Sequence, residues 1–148
     1  MGQITFECVM SFFASLCFGV IFQVRGIKLI FSGLGGALGW LVYLLCAVPF
    51  PGSTIPRFFI ATVVITLFTE WCARLLRAPV SVFLAVALIP LVPGGGIYQT
   101  MLYCVQGNSA AALTECIRTI GIAGAMSMGV VIVSSVVHMV LNRHSQVK

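Results

Sequence analysis

The sequence predicts an all-α integral membrane protein, a single domain of residues 1–148 with about five transmembrane helices. The first observation is composition: 60% of the 148 residues are hydrophobic and 7% are charged, whereas a soluble domain has about a quarter of its residues charged. The second is that apolar runs of about 20 residues, long enough to cross a bilayer, recur along the chain. The third is that prolines and glycines interrupt one run, so we expect the fourth helix to be broken at a Pro-Gly-Gly-Gly turn.

The apolar runs and the turn signals between them predict the order of the elements. The predicted spans are residues 4–24, 29–48, 57–73, 80–106 and 110–141. Residues 49–56 contain three prolines and are predicted to form a loop, and residues 107–109 form a turn that caps the last helix. The last span is longer than a bilayer requires, so we expect it to tilt or to extend beyond the hydrocarbon core, ahead of a polar tail. The first run has neither a basic start nor a clear cleavage site, so we expect it to be kept as a helix.

Basic residues predict the orientation. With five spans, one side of the membrane receives Arg25, Lys28, Arg74, Arg77, Arg143 and Lys148. The other side receives Arg57, and Arg118 lies within the fifth span. The positive-inside rule therefore places the amino terminus outside and the carboxyl terminus in the cytoplasm. The net charge of +5 is explained by this topology and does not indicate nucleic-acid binding.

Small residues recur at helical spacing in three spans. The rows are Ser11, Ser15 and Gly19; Gly35 and Gly39; and Gly121, Ala125 and Gly129. Such rows let helix backbones approach closely, so we expect tight packing, with pore lining as the alternative. The six cysteines are scattered without metal-ligand spacing, which predicts apolar fillers and neither a metal site nor a redox site.

The break in the fourth span lies in residues 89–101, which read IPLVPGGGIYQTM. Residues 80–89 and 97–106 form two halves of about 15 Å each, so the turn is expected near the middle of the bilayer. Irregular backbone at that depth is tolerated only where protein or a water-filled cavity satisfies its polar groups. Such an interruption is typical of a transport site, and a structural kink is the alternative.

The second half-helix is the predicted substrate site. We expect it to start near Gly95 or Gly96, after Pro93 and Gly94, with free amide donors that favour a carboxylate. The side chains expected to add hydrogen bonds in its first turn are Tyr98, Gln99 and Thr100.

Polar residues on the third helix form one stripe. Thr62, Thr66 and Glu70 are spaced four residues apart, and a carboxylate inside a membrane is a candidate functional group. Two alternatives stay open: Glu70 forms an interfacial ion pair with Arg74, and the threonines bond to their own helix backbone.

The two remaining carboxylates are weighed in the same way. Glu115 and Arg118 are a pair at i, i+3, either interfacial or with Arg118 facing a cavity as the partner of a substrate carboxylate or of Glu70. Glu7 is predicted in the first turn of the first helix, where a negative charge complements the helix dipole. No Ser-His arrangement, zinc motif or phosphate loop is present in the sequence, so we expect no enzyme activity, no cofactor and no metal.

The run IPLVPGGGIYQTM, preceded by TEWCARLLRAPVSVFLAVAL, resembles the threonine/serine exporter family in its small-subunit type, the short bacterial membrane proteins. The likeness covers nearly the whole chain in length and order of segments and is specific over residues 70–101. The resemblance implies export of small amino acids or short dicarboxylates across the bacterial inner membrane, together with a larger partner subunit. It places Pro90, Pro93, the three glycines and Tyr98 at the site, with Glu70 and Arg74 upstream.

These observations lead to one expected function and two alternatives. The expected function is a subunit of a secondary exporter of the threonine/serine class, which binds the substrate carboxylate at the broken helix and works by alternating access. The alternatives are a succinate-like dicarboxylate exporter subunit and a membrane scaffold that does not transport. Five helices are few for a transporter, so a partner subunit or self-association is expected to complete it. Glu70 and Glu115 are the expected coupling candidates, and the stripe on the third helix favours Glu70.

Overall fold

A computed structural model describes residues 2–49 and 52–146, with side chains described up to residue 140. Six α-helices account for most of these residues: α1 Gly2–Ile21, α2 Ile27–Leu45, α3 Thr54–Leu75, α4 Val80–Leu88, α5 Gly94–Val105 and α6 Ser109–Gln146. The described residues contain no strand, so the all-α prediction is confirmed. Part of the predicted loop 49–56, the side chain of Arg143, and Lys148 lie outside the described residues.

Four of the helices are long and apolar enough to cross a membrane, namely α1, α2, α3 and α6. The remaining two, α4 and α5, are bent by 50° at the short break between them. Within the described chain the count is therefore four spans, or five where the bent pair crosses as one. This agrees with the predicted polytopic fold and with the predicted break.

The last helix is longer than its predicted span. α6 has 38 residues, which corresponds to about 57 Å, nearly twice the hydrocarbon thickness of about 30 Å. The helix runs past the predicted end at residue 141 because residues 142–146 include neither proline nor glycine. A helix of this length must tilt or continue into the aqueous phase, as expected from the sequence.

Glycines of α2 are the points at which neighbouring helices come closest. A β-carbon added at Gly33 would meet Phe12 and Leu16 of α1, and one at Gly39 would meet Ile65 of α3. The Ser11 hydroxyl of α1 donates a hydrogen bond to the Gly36 carbonyl at 3.0 Å. The packing role predicted for the small-residue rows of α1 and α2 is thus confirmed.

The core forms where α3, the break and α6 meet. One cluster contains Phe58, Ala61, Ile65, Ala87, Leu91, Ile122 and Met126. Leu91 belongs to the break and is fully buried, so the irregular segment is anchored in the core. In contrast, α5 contains no buried residue and packs chiefly against α6.

Gly35→Ala is expected to destabilise the bundle. A β-carbon at Gly35 would lie 2.9 Å from the Ala87 β-carbon, which can retreat only if its backbone moves. Overpacking costs roughly 1–3 kcal/mol, more than the gain of roughly 1 kcal/mol from replacing a helical glycine. Gly124→Ala is the matched control, because no atom lies within 4 Å of that position. In detergent, Gly35→Ala should lower the midpoint of thermal unfolding and Gly124→Ala should not; equal midpoints would contradict the packing.

Candidate functional site

The break between α4 and α5 is a short irregular segment. After α4, residues Ile89–Leu91 form a single 3-10 turn, and Pro93 is the amino-terminal cap of α5. The two prolines of this segment carry no amide hydrogen, so the α-helical bond pattern cannot pass through it. The Gly94 amide donates to the Val92 carbonyl at 2.7 Å, and the first α-helical bond of α5 joins Ile97 to Pro93.

The three glycines lie in the helix rather than in the turn before it. We expected α5 to start near Gly95 or Gly96, but it starts at Gly94, and this detail of the prediction was wrong. The physical reason is that Pro93 ends the irregular segment, so the helix begins at the next residue, Gly94. The amides of a first helical turn have no acceptor within the helix in any case. None of the three glycines has a positive φ, so their backbone is ordinary helix.

Two of these glycines present free amides to a cavity. Within the described part of the chain, the amides of Gly95 and Gly96 have no backbone carbonyl as a partner, and both residues line a cavity of about 220 Å³. We call this space the amide cavity. The helix dipole places partial positive charge at this end of α5.

The walls of the amide cavity come from the break and four helices, α2, α3, α5 and α6. Its lining residues are Trp40, Tyr43, Thr54, Phe58, Pro90, Leu91, Val92, Pro93, Gly95, Gly96, Arg118, Thr119 and Ile122. Trp40, Tyr43 and Phe58 form a row of contacting rings, with centroids 5.3 Å and 4.7 Å apart. The cavity therefore has an aromatic wall and is also lined by the two glycines.

Arg118 is the charged residue among the described lining residues. Its Nη1 lies 3.4 Å from Glu115 Oε1, and 53% of its side chain is exposed. A guanidinium has five N–H donors, so this single contact leaves most of them available. A helix amino terminus and a guanidinium in one cavity together favour a bound anion. Both features that the sequence left as alternatives for Arg118 are present, the pair with Glu115 and a position in the lining of a cavity.

The side chains after the glycines lie outside the amide cavity. Tyr98 is 63% exposed, and Gly94 and Gln99 are also exposed. The Thr100 hydroxyl donates to the Gly96 carbonyl at 2.8 Å, the helix-backbone bond that serine and threonine commonly make. Of the residues predicted to bind substrate, the structure brings together Pro93, Gly95 and Gly96.

The polar stripe of α3 is buried but separate from this cavity. Thr62 and Thr66 are fully buried, and Glu70 is 5% exposed. The Thr66 hydroxyl donates to the Thr62 carbonyl at 2.8 Å, and Glu70 Oε2 pairs with Arg74 Nη2 at 3.1 Å. The Thr62 hydroxyl has no hydrogen-bond partner within the described chain. The stripe thus contains both alternatives that the sequence left open, the ion pair of Glu70 with Arg74 and a bond from a threonine to its own helix backbone.

Glu7 and Trp40 make a contact that the sequence pattern did not predict. α1 begins at Gly2, so Glu7 lies beyond the first turn where it was expected, and its Oε2 accepts a hydrogen bond from Trp40 Nε1 at 3.2 Å. The placement of Glu7 at the helix dipole was therefore wrong. A glutamate inside a long apolar run is a functional candidate by itself, and that signal was present in the sequence.

Glu7 lines a second cavity of about 330 Å³, which we call the Glu7 cavity. Its lining residues are Phe6, Glu7, Met10, Ser11, Ala14, Trp40 and Pro90. Trp40 and Pro90 also line the amide cavity. The two cavities are therefore neighbours that share a wall of one indole and one proline.

The fold is that of a multi-pass helical membrane protein, with a cavity at the break between α4 and α5. A family model described as the threonine/serine exporter, ThrE, matches residues 7–136. This match covers most of the chain, and the chain belongs to the threonine/serine exporter family, a family of transporters. Comparisons with curated proteins and with solved structures give no significant match.

Gly96→Ala is expected to push α5 away from α6, because its new methyl group would meet the Thr119 hydroxyl. We expect a loss of roughly 1–3 kcal/mol for this overpacking, and Thr119→Ala in the same chain should recover part of it. Gly95→Ala is the control, since that position has no atom within 4 Å. Thermal unfolding of the two single variants and the double variant measures the coupling; strictly additive effects would contradict the contact.

Proposed function

We propose that this chain is a subunit of a secondary exporter for small amino acids of the threonine/serine class. Its substrate carboxylate binds in the amide cavity, between the α5 amino terminus and Arg118. The observation that carries this proposal is the presence of the free Gly95 and Gly96 amides and a guanidinium in the same cavity. Family membership supports transport as the activity.

An amino acid also needs a place for its ammonium group. The break supplies backbone carbonyls at the edge of the cavity, from Pro90 to Val92, and such carbonyls accept hydrogen bonds from a cation. The aromatic wall of Trp40 and Tyr43 offers a face for the same charge. A small zwitterion thus finds complementary groups at both ends.

Alternating access is proposed to use the different packing partners of α4 and α5. α4 packs against α2 and α3, whereas α5 packs chiefly against α6. The 50° bend between them lies at the cavity. A change in this bend would open the amide cavity to one side of the membrane and close it to the other, without disrupting the core around Leu91.

A partner is proposed to complete the transport path, either a larger membrane subunit of the same family or a second copy. α5 exposes the apolar side chains of Ile97, Met101 and Val105, and four to five spans are few for a transporter built from repeats. We also propose the bacterial inner membrane as the location, with the amino terminus outside.

A short dicarboxylate is the second candidate substrate. The specific observation in its favour is that no carboxylate lines the described amide cavity, whereas two anion-favouring groups do. One carboxylate would bind the glycine amides and the other would bind Arg118. A scaffold without transport activity is the third alternative, and it would leave the cavity without a ligand.

Arg118→Gln is expected to weaken substrate binding on the order of 10-fold to 100-fold, because a hydrogen bond to a charged group contributes roughly 1.5–3 kcal/mol. Efflux of labelled threonine, serine and succinate from cells that also express the partner measures this. Arg77→Gln, at an exposed position, is the matched loss of charge and should leave efflux unchanged. Succinate efflux that depends on Arg118, without amino-acid efflux, would select the dicarboxylate. Efflux unaffected by Arg118→Gln would contradict the site.

The proposed orientation predicts which side of the membrane labels introduced cysteines. With the native cysteines removed, Gly2→Cys should react with an impermeant reagent only from outside, and Ala78→Cys only from the cytoplasm. Ser145→Cys should react from the cytoplasm if α4 and α5 cross as one span. Reaction of Ser145→Cys from outside would show that the bent pair is a re-entrant loop, and reaction of Gly2→Cys from inside would refute the orientation.

A further inference from the structure

A side-chain hydrogen bond holds the indole in the wall between the two cavities. Trp40 Nε1 donates to Glu7 Oε2 at 3.2 Å, and the bond joins α2 to α1. The indole lines the amide cavity and the Glu7 cavity alike. Any rotation of Trp40 out of this position would break the bond to Glu7 and change the wall of the substrate cavity.

Glu7 differs from the other two carboxylates of the chain in its partner. Glu70 pairs with Arg74 at 3.1 Å, and Glu115 pairs with Arg118 at 3.4 Å. Glu7 receives a neutral indole donor and, among the described residues, forms no salt bridge. A nearby cation keeps a carboxylate ionised, so the carboxylate best suited to gain and lose a proton is the one without a cation beside it.

The surroundings of Glu7 contain few other titratable groups. On α1 the neighbouring thiol of Cys8 is the nearest in sequence, and the lining from α2 and the break is Trp40 and Pro90, neither of which titrates. Across the indole, Tyr43 and Arg118 face the amide cavity, with Glu115 bound to Arg118. A change in the protonation of Glu7 therefore acts mainly on Trp40, its hydrogen-bond partner.

We propose that Glu7 is the proton-accepting group of this subunit. The indole of Trp40, which lines both cavities, is the gate between them, and Glu7 controls its position. Ionised Glu7 accepts a charge-assisted hydrogen bond and holds the indole in the wall. Such bonds are roughly twice as strong as neutral ones, so protonation of Glu7 weakens the bond and makes it easier for Trp40 to rotate away. The proton binds to the carboxylate from the water on one side of the membrane and leaves it to the other.

The inference deepens the proposed function, because it supplies the coupling group of the same substrate site. It differs from the expectation that Glu70 or Glu115 performs this role, since both are paired with arginine. The gate itself is a local property of α1 and α2 and can be observed without transport.

The fluorescence of Trp40 tests the gate directly. The chain contains two tryptophans, and the other, Trp71, is exposed on α3. In Trp71→Phe, reconstituted in vesicles, the emission reports Trp40 alone. We expect the emission of Trp40 to pass through a transition as the pH is varied. Adding Glu7→Gln should abolish the transition, and adding Glu70→Gln, the matched removal of a carboxylate, should leave it in place.

Emission from Trp71→Phe that does not change with pH would overturn the proposal, and so would a transition that persists in Glu7→Gln. If Glu7→Gln fails to fold, Trp40→Phe serves instead, because it keeps an aromatic ring but removes the donor. With the partner subunit present, Trp40→Phe should lose the pH dependence of efflux. Loss of that dependence in Glu70→Gln alone would overturn the assignment to Glu7. A normal emission transition with no efflux of any substrate would refute the proposed transport function and leave the gate standing.

Discussion

The structure depends on the constraint that broken backbone inside an apolar environment needs partners for its amides and carbonyls. Each such group left without a partner in hydrocarbon costs several kcal/mol. Prolines at positions 90 and 93 force the break, and the amides of Gly95 and Gly96 remain without a backbone acceptor. Both glycines line the amide cavity, together with residues of the surrounding helices. A ligand or water that enters the cavity can satisfy their amides, which links the fold to binding.

The glycine face of α2 makes this arrangement possible. Ser15 of α1 contacts Gly36 and Ile65 of α3 contacts Gly39, so both helices lie close to α2 on either side. The same close approach brings Trp40 against the break and against Glu7. Helix packing and the two cavities therefore share one cause, the absence of side chains along one face of α2. A larger residue there would alter the site without touching its polar groups.

Much of the fold was predictable from the sequence, because membrane spans follow from local composition. The apolar runs located the helices, and the Pro-Gly pattern located the break to within a few residues. A cavity position for Arg118 was one of two alternatives that the sequence left open, the other being an interfacial pair with Glu115, since an arginine inside an apolar span is unusual. The exact start of α5 was missed, because propensity alone does not separate a glycine that ends an irregular segment from one that begins a helix.

The rest of the site could not be derived from local pattern. Trp40 and Glu7 are 33 residues apart in the chain, and their contact exists only after α1 and α2 pack. Tyr98 and Thr100 lie within four residues of the last glycine, yet the first is exposed and the second bonds its own helix. Sequence neighbours on a helix point in different directions, whereas the amide cavity is assembled from several helices. Tertiary placement decided which polar residues belong to it.

The most direct test of the account measures the glycine amides themselves. Nuclear magnetic resonance of the chain in nanodiscs, with isotope-labelled glycine and its partner subunit where transport requires one, can follow the Gly95 and Gly96 amide signals during titration with threonine, serine and succinate. The account predicts that the transported substrate shifts both amide protons downfield, as a new hydrogen bond to a carboxylate does, while Gly124 on the exposed face of α6 stays unchanged. Amide signals of Gly95 and Gly96 that do not move at saturating concentrations of a transported substrate would contradict it.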